Sequence, residues 1–182
     1  VSIYFAIQKH RFEERLNLVI ECDEDESCLD CLMPKLTLQA IVENSIIHGL
    51  EQKVGQGTVR IVIRCTGKRL IIQISDDGAG MKPDVLERLN KQLNEPVFES
   101  IRLSDAKGGV AIINVSNRIH LLFGEEYGMV VYSTLDFGTD TIINLPLVKS
   151  REEKNRGEKK IERRDFKDGE GYIHRAGDHD AQ

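Results

Sequence analysis

In Glu43-Asn44-Ser45-Ile46-Ile47-His48-Gly49 a carboxylate, an amide and an imidazole interrupt an otherwise apolar run. Asn44 and His48 stand one helical turn apart with Glu43 beside them, so the three polar groups share one edge if the segment is helical. The amide oxygen of Asn44 is a hard donor of the kind Mg²⁺ accepts while it keeps waters and phosphate oxygens as its other ligands. On spacing alone, a solvated helix edge is the better account of these residues.

A second stretch shifts that balance. Asp76-Asp77-Gly78-Ala79-Gly80 follows directly on the apolar alternation Leu70, Ile72, Ile74. Two glycines allow backbone to approach a flat ligand, and a carboxylate accepts a hydrogen bond from an exocyclic amine. Adenine carries such an amine at its sixth position. Guanine carries a carbonyl there, which would leave the carboxylate facing another acceptor at a cost of about 1–3 kcal/mol. The pattern therefore favours ATP over GTP. Taken without its neighbours, D-x-G-x-G is also a common surface turn.

The third stretch is Gly108-Gly109-Val110-Ala111-Ile112-Ile113-Asn114. Glycines immediately before a helix expose backbone N–H groups at the positive end of the helix dipole, an arrangement suited to phosphate, although glycine also serves there as plain punctuation. No G-x-x-x-x-G-K-[ST] occurs, so the P-loop route to a nucleotide is closed.

The elements that must position these residues follow from periodicity. Leu16, Leu18, Ile20 and Cys22 alternate with Asn17, Val19 and Glu21 as in a strand with one buried face. After an acidic loop, Pro34 can open a helix whose apolar or small face runs through Leu38, Ile41, Val42 and Ser45, with Gly49 as its expected end. Val59, Ile61, Ile63 and Cys65 turn at Gly67-Lys68 into Leu70, Ile72 and Ile74, a hairpin. Helical spacing appears through Val85, Leu86, Leu89 and Leu93, yet residues 82–107 as a whole read as a long connection of the kind that forms a mobile lid. A helix follows from Val110 to Phe123, and a last hairpin pairs Val130-Val131-Tyr132-Ser133 with Thr141-Ile142-Ile143-Asn144-Leu145.

Strands and helices that do not strictly alternate predict an α+β fold, a two-layer sandwich in which a mixed sheet carries helices on one face. The expected division is a helix end and linker over residues 1–15, one folded domain over 16–148, and a charged, disordered tail over 149–182. That tail mixes Lys and Arg with Asp and Glu and has few apolar residues. Because the chain opens on Val1 inside a helical pattern, it is expected to be a piece of a longer protein.

Composition excludes several classes. Hydrophobic residues are 40% and charged residues 30% of the 182, the balance of a water-soluble globular domain, and the apolar runs are too short to cross a bilayer. A formal net charge of −5 offers no basic footprint for nucleic acid. The four cysteines include one C-x-x-C, Cys28 and Cys31, but Cys22 and Cys65 supply no second pair at zinc spacing. Reduced packing thiols in a cytoplasmic compartment are the expectation.

In order, Glu43-Asn44 with His48-Gly49, Asp76-x-Gly78-x-Gly80, the glycine-led helix at Gly109, and Gly138-Thr139 resemble the N, G1, G2 and terminal boxes of the Bergerat-fold (GHKL) ATPases. Ile7-Gln8-Lys9-x-Arg11-Phe12-x-x-Arg15-Leu16 and Asn114-Val115-x-x-Arg118-Ile119 are similar to LytS/YesM-type sensor histidine kinases. The resemblance covers roughly residues 7–148. It implies an ATP-binding catalytic domain that transfers the γ-phosphate to a histidine on an upstream dimerisation helix. It also implies Mg²⁺ as cofactor, a homodimeric and membrane-anchored parent with this domain in the cytoplasm, and a response regulator as partner.

By the same resemblance, Asp76 binds adenine, and Gly78 and Gly80 shape the pocket. Asn44 holds Mg²⁺, and Glu43 is the catalytic acidic residue beside it, orienting or activating the acceptor. Gly109, Asn114 and Arg118 meet the phosphates, Thr139 supports the adenine end, and His48 and Gly108 belong to the same nucleotide-binding set. Two positions depart from the family: Ile47 stands where a lysine is usual, and Ala111 where a second glycine is common. His10 lacks an acceptor signature, so the phosphorylated histidine is expected upstream of Val1, and His10, His120, His174 and His179 are expected to be surface or packing residues. Competing assignments are an anti-sigma-type serine kinase and a degenerate nucleotide-binding interaction module.

Overall fold

The computed structural model describes residues 1–12, 15–23, 28, 30–51, 53–95 and 110–149. In chain order these form α1 (Ser2–Arg11), β1 (Leu16–Cys22), α2 (Thr37–Asn44), a π-helical segment (Ser45–Leu50), β2 (Gly57–Thr66) and β3 (Arg69–Asp76). There follow α3 (Pro83–Leu93), α4 (Val110–Phe123), β4 (Gly128–Thr134) and β5 (Gly138–Pro146). Residues 96–109, including Gly108 and Gly109, and the expected tail from residue 150 on, with His174 and His179, lie outside the described residues.

The five strands make one sheet in the order β1-β2-β3-β5-β4. β1 runs parallel to β2, and every other neighbour pair is antiparallel. The mixed sheet expected from the sequence is therefore present. Along β3 the residues Leu70, Ile72, Ile74 and Asp76 are buried while those between them are half-buried, and along β5 Thr139, Thr141, Ile143 and Leu145 alternate in the same way. Side chains two apart in a strand share a face, so Asp76 ends an otherwise apolar inward row.

Against that face pack Ile41, Val42 and Ile46 of the α2 segment and Ile112, Val115 and Ile119 of α4, each no more than 3% exposed. Burying a branched side chain of this size contributes about 1.5–3 kcal/mol. Phe5 and Phe12 of the N-terminal helix join the same cluster. Helix α1 is thus docked on the domain.

Three expectations need correction. Pro34 does not open the helix: α2 begins at Thr37, whose hydroxyl donates to the Pro34 carbonyl at 2.9 Å, so the proline forms the turn ahead of it. Gly49 does not end it either, because the helix widens into the π form and runs to Leu50. Residues 82–107 are not a lid throughout. Residues Pro83–Leu93 form a helix fastened to β4, with Leu89 and Leu93 buried and Asn90 bonded both ways to the Val131 backbone, at 2.7 Å to its carbonyl and 3.0 Å from its N–H. An amide that satisfies both groups of one strand residue anchors the helix against sliding. The remainder of that connection falls outside the described residues.

Candidate nucleotide site

The register of the sheet assembles the site. Val59, Asp76, Thr139 and Ser133 lie on four neighbouring strands in one row, since Asp76 pairs with both Val59 and Thr139 and Thr139 pairs with Ser133. Asp76 is 8% exposed. Burial raises its carboxyl above the ordinary aspartate value. Hydrogen bonds from the Ser45 hydroxyl and from the Gly78 and Thr139 N–H groups pull it down, while the neighbouring Asp77 pushes it up. The Gly78 N–H reaches Oδ1 at 3.1 Å. A carboxylate brought into an apolar face and held by donors on its inner side is fixed in position and still an acceptor.

The π-helical segment places Gly49 against this carboxylate. A Cβ on Gly49 would lie 2.7 Å from Asp76 Oδ1, and a Cβ on Gly78 would lie 2.4–2.5 Å from the Gly49 backbone. The Gly49 carbonyl, at a helix end where carbonyls lack intrahelical partners, accepts the Ala79 N–H at 2.9 Å. Both glycines are therefore required by backbone approach. Insertions of π geometry inside α-helices concentrate at functional sites.

On the other flank, Gly80 adopts φ +63° and a Cβ there would sit 2.0 Å from the Thr134 carbonyl oxygen. Ser133 ties this flank together: its Oγ accepts the Met81 N–H at 2.9 Å, donates to the Gly138 carbonyl at 2.8 Å and lies 3.0 Å from the Thr139 hydroxyl. Asp77, next to Asp76, faces elsewhere. It accepts the Thr58 N–H at 2.8 Å and pairs with Lys53 at 2.9 Å, pinning the loop to β2.

Glu43 and Asn44 are half-buried at the end of α2, and His48 is exposed. The Gln39 amide donates to Glu43 Oε1 at 3.0 Å. Tyr4 of α1 stands within electrostatic reach: burial and then the Glu43 carboxylate raise its phenol, while Arg11 and a hydrogen bond with Gln8 oppose the rise. Asn114 and Ala111 lie exposed on α4 and Ile47 is 40% exposed. Arg118 is half-buried and reaches Thr37 Oγ1 at 3.4 Å, and its Nε is buried without a hydrogen-bond partner. Thr37 lies seven residues before Asn44, about 10 Å along the helix axis.

The structure thus brings Asp76, Gly78, Gly80 and Thr139 together with Gly49 into one cradle, with Glu43 and Asn44 on the adjoining helix. It sets Arg118 at the start of that helix. Sequence reasoning missed Ser45, which looked like a small packing residue, and Ser133, which had no local signal because only the β4–β5 register sets it beside Thr139. Tyr4 comes within reach of Glu43 only through tertiary packing, whereas Gln39, four residues ahead of Glu43 on one helix, carried a local i,i+4 signal.

A buried acceptor in a cradle that any Cβ would fill, and an orphaned guanidinium N–H, fit a purine nucleotide with an anionic end. Mg²⁺ held by one amide oxygen together with phosphates and waters fits the half-buried Asn44 and needs no cluster of carboxylates.

Residues 33–149 match the family described as histidine kinase-, DNA gyrase B- and HSP90-like ATPases. The chain belongs to that family of ATPase domains. Among curated proteins it is 34% identical over 146 residues to the sensor histidine kinase YesM of Bacillus subtilis, covering 80% of this chain and 22% of that protein. It is 34% identical to the sensor histidine kinase YpdA of Escherichia coli over 80% of this chain and 23% of that protein. With the sensor protein LytS of Staphylococcus saprophyticus it shares 27% identity over 85% of this chain and 24% of that protein. The chain spans under a quarter of the length of these relatives. A solved catalytic domain of the histidine kinase ThkA superposes with a TM-score of 0.51 at 14% identity, covering 80% of this chain and 95% of that one, a likeness of fold.

Proposed function

We propose that the chain is the ATP-binding catalytic domain of a two-component sensor histidine kinase. It transfers the γ-phosphate of ATP to a histidine on an upstream dimerisation helix, of which α1 is the last part. The observation that carries this reading is Asp76, a buried carboxylate ending an apolar row inside a glycine cradle, where it accepts the adenine amine and rejects the guanine carbonyl. Relatives named as sensor histidine kinases over this same stretch support it.

Each residue then has a task. Ser45 and the Thr139 N–H hold the Asp76 carboxylate. Gly78 and Gly80 admit the base. Asn44 ligates Mg²⁺, which when bound neutralises phosphate charge and orients the phosphoryl group. His48, Gly108, Gly109, Asn114 and Arg118 line the phosphate end. Glu43, steadied by Gln39, orients or activates the acceptor histidine from a position within electrostatic reach of Tyr4 on α1. Phosphoryl transfer asks little covalent help from protein, so positioning and electrostatics supply most of the effect. The intact protein is a membrane-anchored homodimer that passes its phosphate to a response regulator. Among the described residues no helix is long and apolar enough to cross a membrane.

The chain incubated alone with γ-labelled ATP and Mg²⁺ stays unlabelled, because its own histidines are not acceptors. Mixed with a separately made upstream helical fragment of the parent protein, it places an acid-labile, base-stable phosphate on that fragment. Glu43→Gln slows the transfer with ATP affinity kept, whereas Asn44→Ala removes the magnesium dependence of nucleotide binding. Acid-stable phosphoserine on a partner protein would overturn the reading.

A further inference from the structure

Glu43 lies one residue before Asn44 at the end of α2, half-buried, on a long side chain rich in rotamers. A group that must meet an acceptor at a fixed point loses rate when its own geometry is left free. Something has to hold the carboxylate. The ion pairs Arg11–Glu51, Lys53–Asp77, Arg60–Glu21 and Arg88–Asp84 do not reach it. The Gln39 amide does, from one helical turn earlier, with Nε2 3.0 Å from Glu43 Oε1.

A carboxylate only accepts hydrogen bonds, so the amide must turn its nitrogen toward Glu43. Long side chains on a helix lean toward its N-terminus, which carries Glu43 back over the turn that Gln39 occupies. Gln39 is itself half-buried, and Thr37 and Ile41 on either side of it are buried, so the donor is presented from a packed stretch of helix. With Oε1 held, Oε2 is the oxygen left to meet a group arriving from outside the domain. As a helix-stabilising pair the contact contributes only about 0.2–0.5 kcal/mol. Its consequence should therefore appear in a rate far more than in a melt.

We infer that Gln39 is a positioning residue for phosphoryl transfer, holding one oxygen of Glu43 so that the other is aimed at the acceptor histidine. The inference rests on the role proposed above for Glu43. Gln39 acts through that carboxylate and not on the nucleotide, so its loss is a loss of turnover at saturating ATP, with nucleotide binding kept.

The test is a double-mutant cycle at saturating ATP and Mg²⁺, with the separately made upstream helical fragment as acceptor. Gln39→Leu, close in size but without a donor, should slow transfer about tenfold or more and keep ATP affinity within about twofold of the parent's. Gln39→Lys, which again offers an N–H donor one turn ahead of Glu43, should recover most of that rate. In the Glu43→Gln background, Gln39→Leu should cost nothing further, because the carboxylate it held is gone. If Gln39→Leu does not fold, Gln39→Ala takes its place in the cycle. An unchanged rate, equal slowing whether or not Glu43 is present, or a loss lying wholly in ATP affinity would each overturn the inference and leave the histidine-kinase reading standing. Phosphate appearing on a partner's serine, or no transfer by the parent chain, would overturn that reading and this inference with it.

Discussion

A Cβ placed on Gly49 would stand 2.7 Å from Asp76 Oδ1, so the end of the π-helical segment after α2 and the last residue of β3 meet where only a hydrogen atom fits. The Asp76 carboxyl cannot swing aside, since Gly78 holds Oδ1 at 3.1 Å and Ser45 and Thr139 hold the group as well. Gly49→Ala should cost about 1–3 kcal/mol of stability and weaken ATP binding about tenfold or more. Gly78→Ala should be worse, because its Cβ would meet Gly49 backbone at 2.4 Å and backbone does not rotate away. Thermal melts and ATP titration of both variants check this; an alanine at either position with unchanged affinity would show that the cradle is not the base site.

Asp76 supplies a pH test. Its carboxyl is raised by burial, so the folded chain binds that proton more readily than the unfolded one. Its protonation contributes stability below the ordinary aspartate value, and that contribution is lost as pH rises through the raised folded value. Melts of Asp76→Asn against the parent should therefore shift in favour of the variant as pH rises through that window. ATP affinity should move the opposite way: it is highest when Asp76 is ionised and falls on acidification, while Asp76→Asn binds weakly throughout. A variant that keeps full ATP affinity at neutral pH would remove Asp76 from the site.

The adjoining aspartate should behave differently. Asp77 is 46% exposed at its side chain and serves Lys53 and the Thr58 N–H. Asp77→Ala should cost about 1 kcal/mol or less and leave ATP affinity near that of the parent. Calorimetry on the two single variants separates the roles, and a larger ATP loss at Asp77 than at Asp76 would reverse the assignment.

Ser133 is the test of the far flank. Removing its hydroxyl strands the Met81 N–H and loosens the turn on which Gly80 rests, at a cost of about 1–3 kcal/mol. Ser133→Ala should lower the melting temperature and reduce ATP affinity although the residue touches no ligand. Amide exchange at Met81, slow in the parent and fast in the variant, would identify the cause; unchanged exchange would refute it.

Local pattern settled much of this molecule. Period-two alternation marked β1, the β2–β3 hairpin and the β4–β5 hairpin, because a strand with one buried face must alternate whatever it packs against. Asp76 was legible as an inward-facing carboxylate, and so as a candidate site residue, for the same reason: it ends an apolar strand and is followed by two glycines, which breaks the pattern in a way packing does not explain. The glycine at position 78 was legible as a close-approach residue, although what it approaches was not.

Tertiary structure decided what depends on partners far along the chain. Whether Gly49 ends a helix or lies inside a π turn rests on Asp76 and Ala79 pressing against it, and no window around Gly49 contains them. Whether residues 83–93 swing as a lid or sit anchored depends on Asn90 meeting the Val131 backbone 41 residues on. Cys22 and Cys65 make the same point: they lie 43 residues apart in sequence, and only the parallel β1–β2 register, which pairs Cys22 with Ile63, sets them on neighbouring strands. Periodicity reports which way a side chain faces, and only strand order and register determine what it faces.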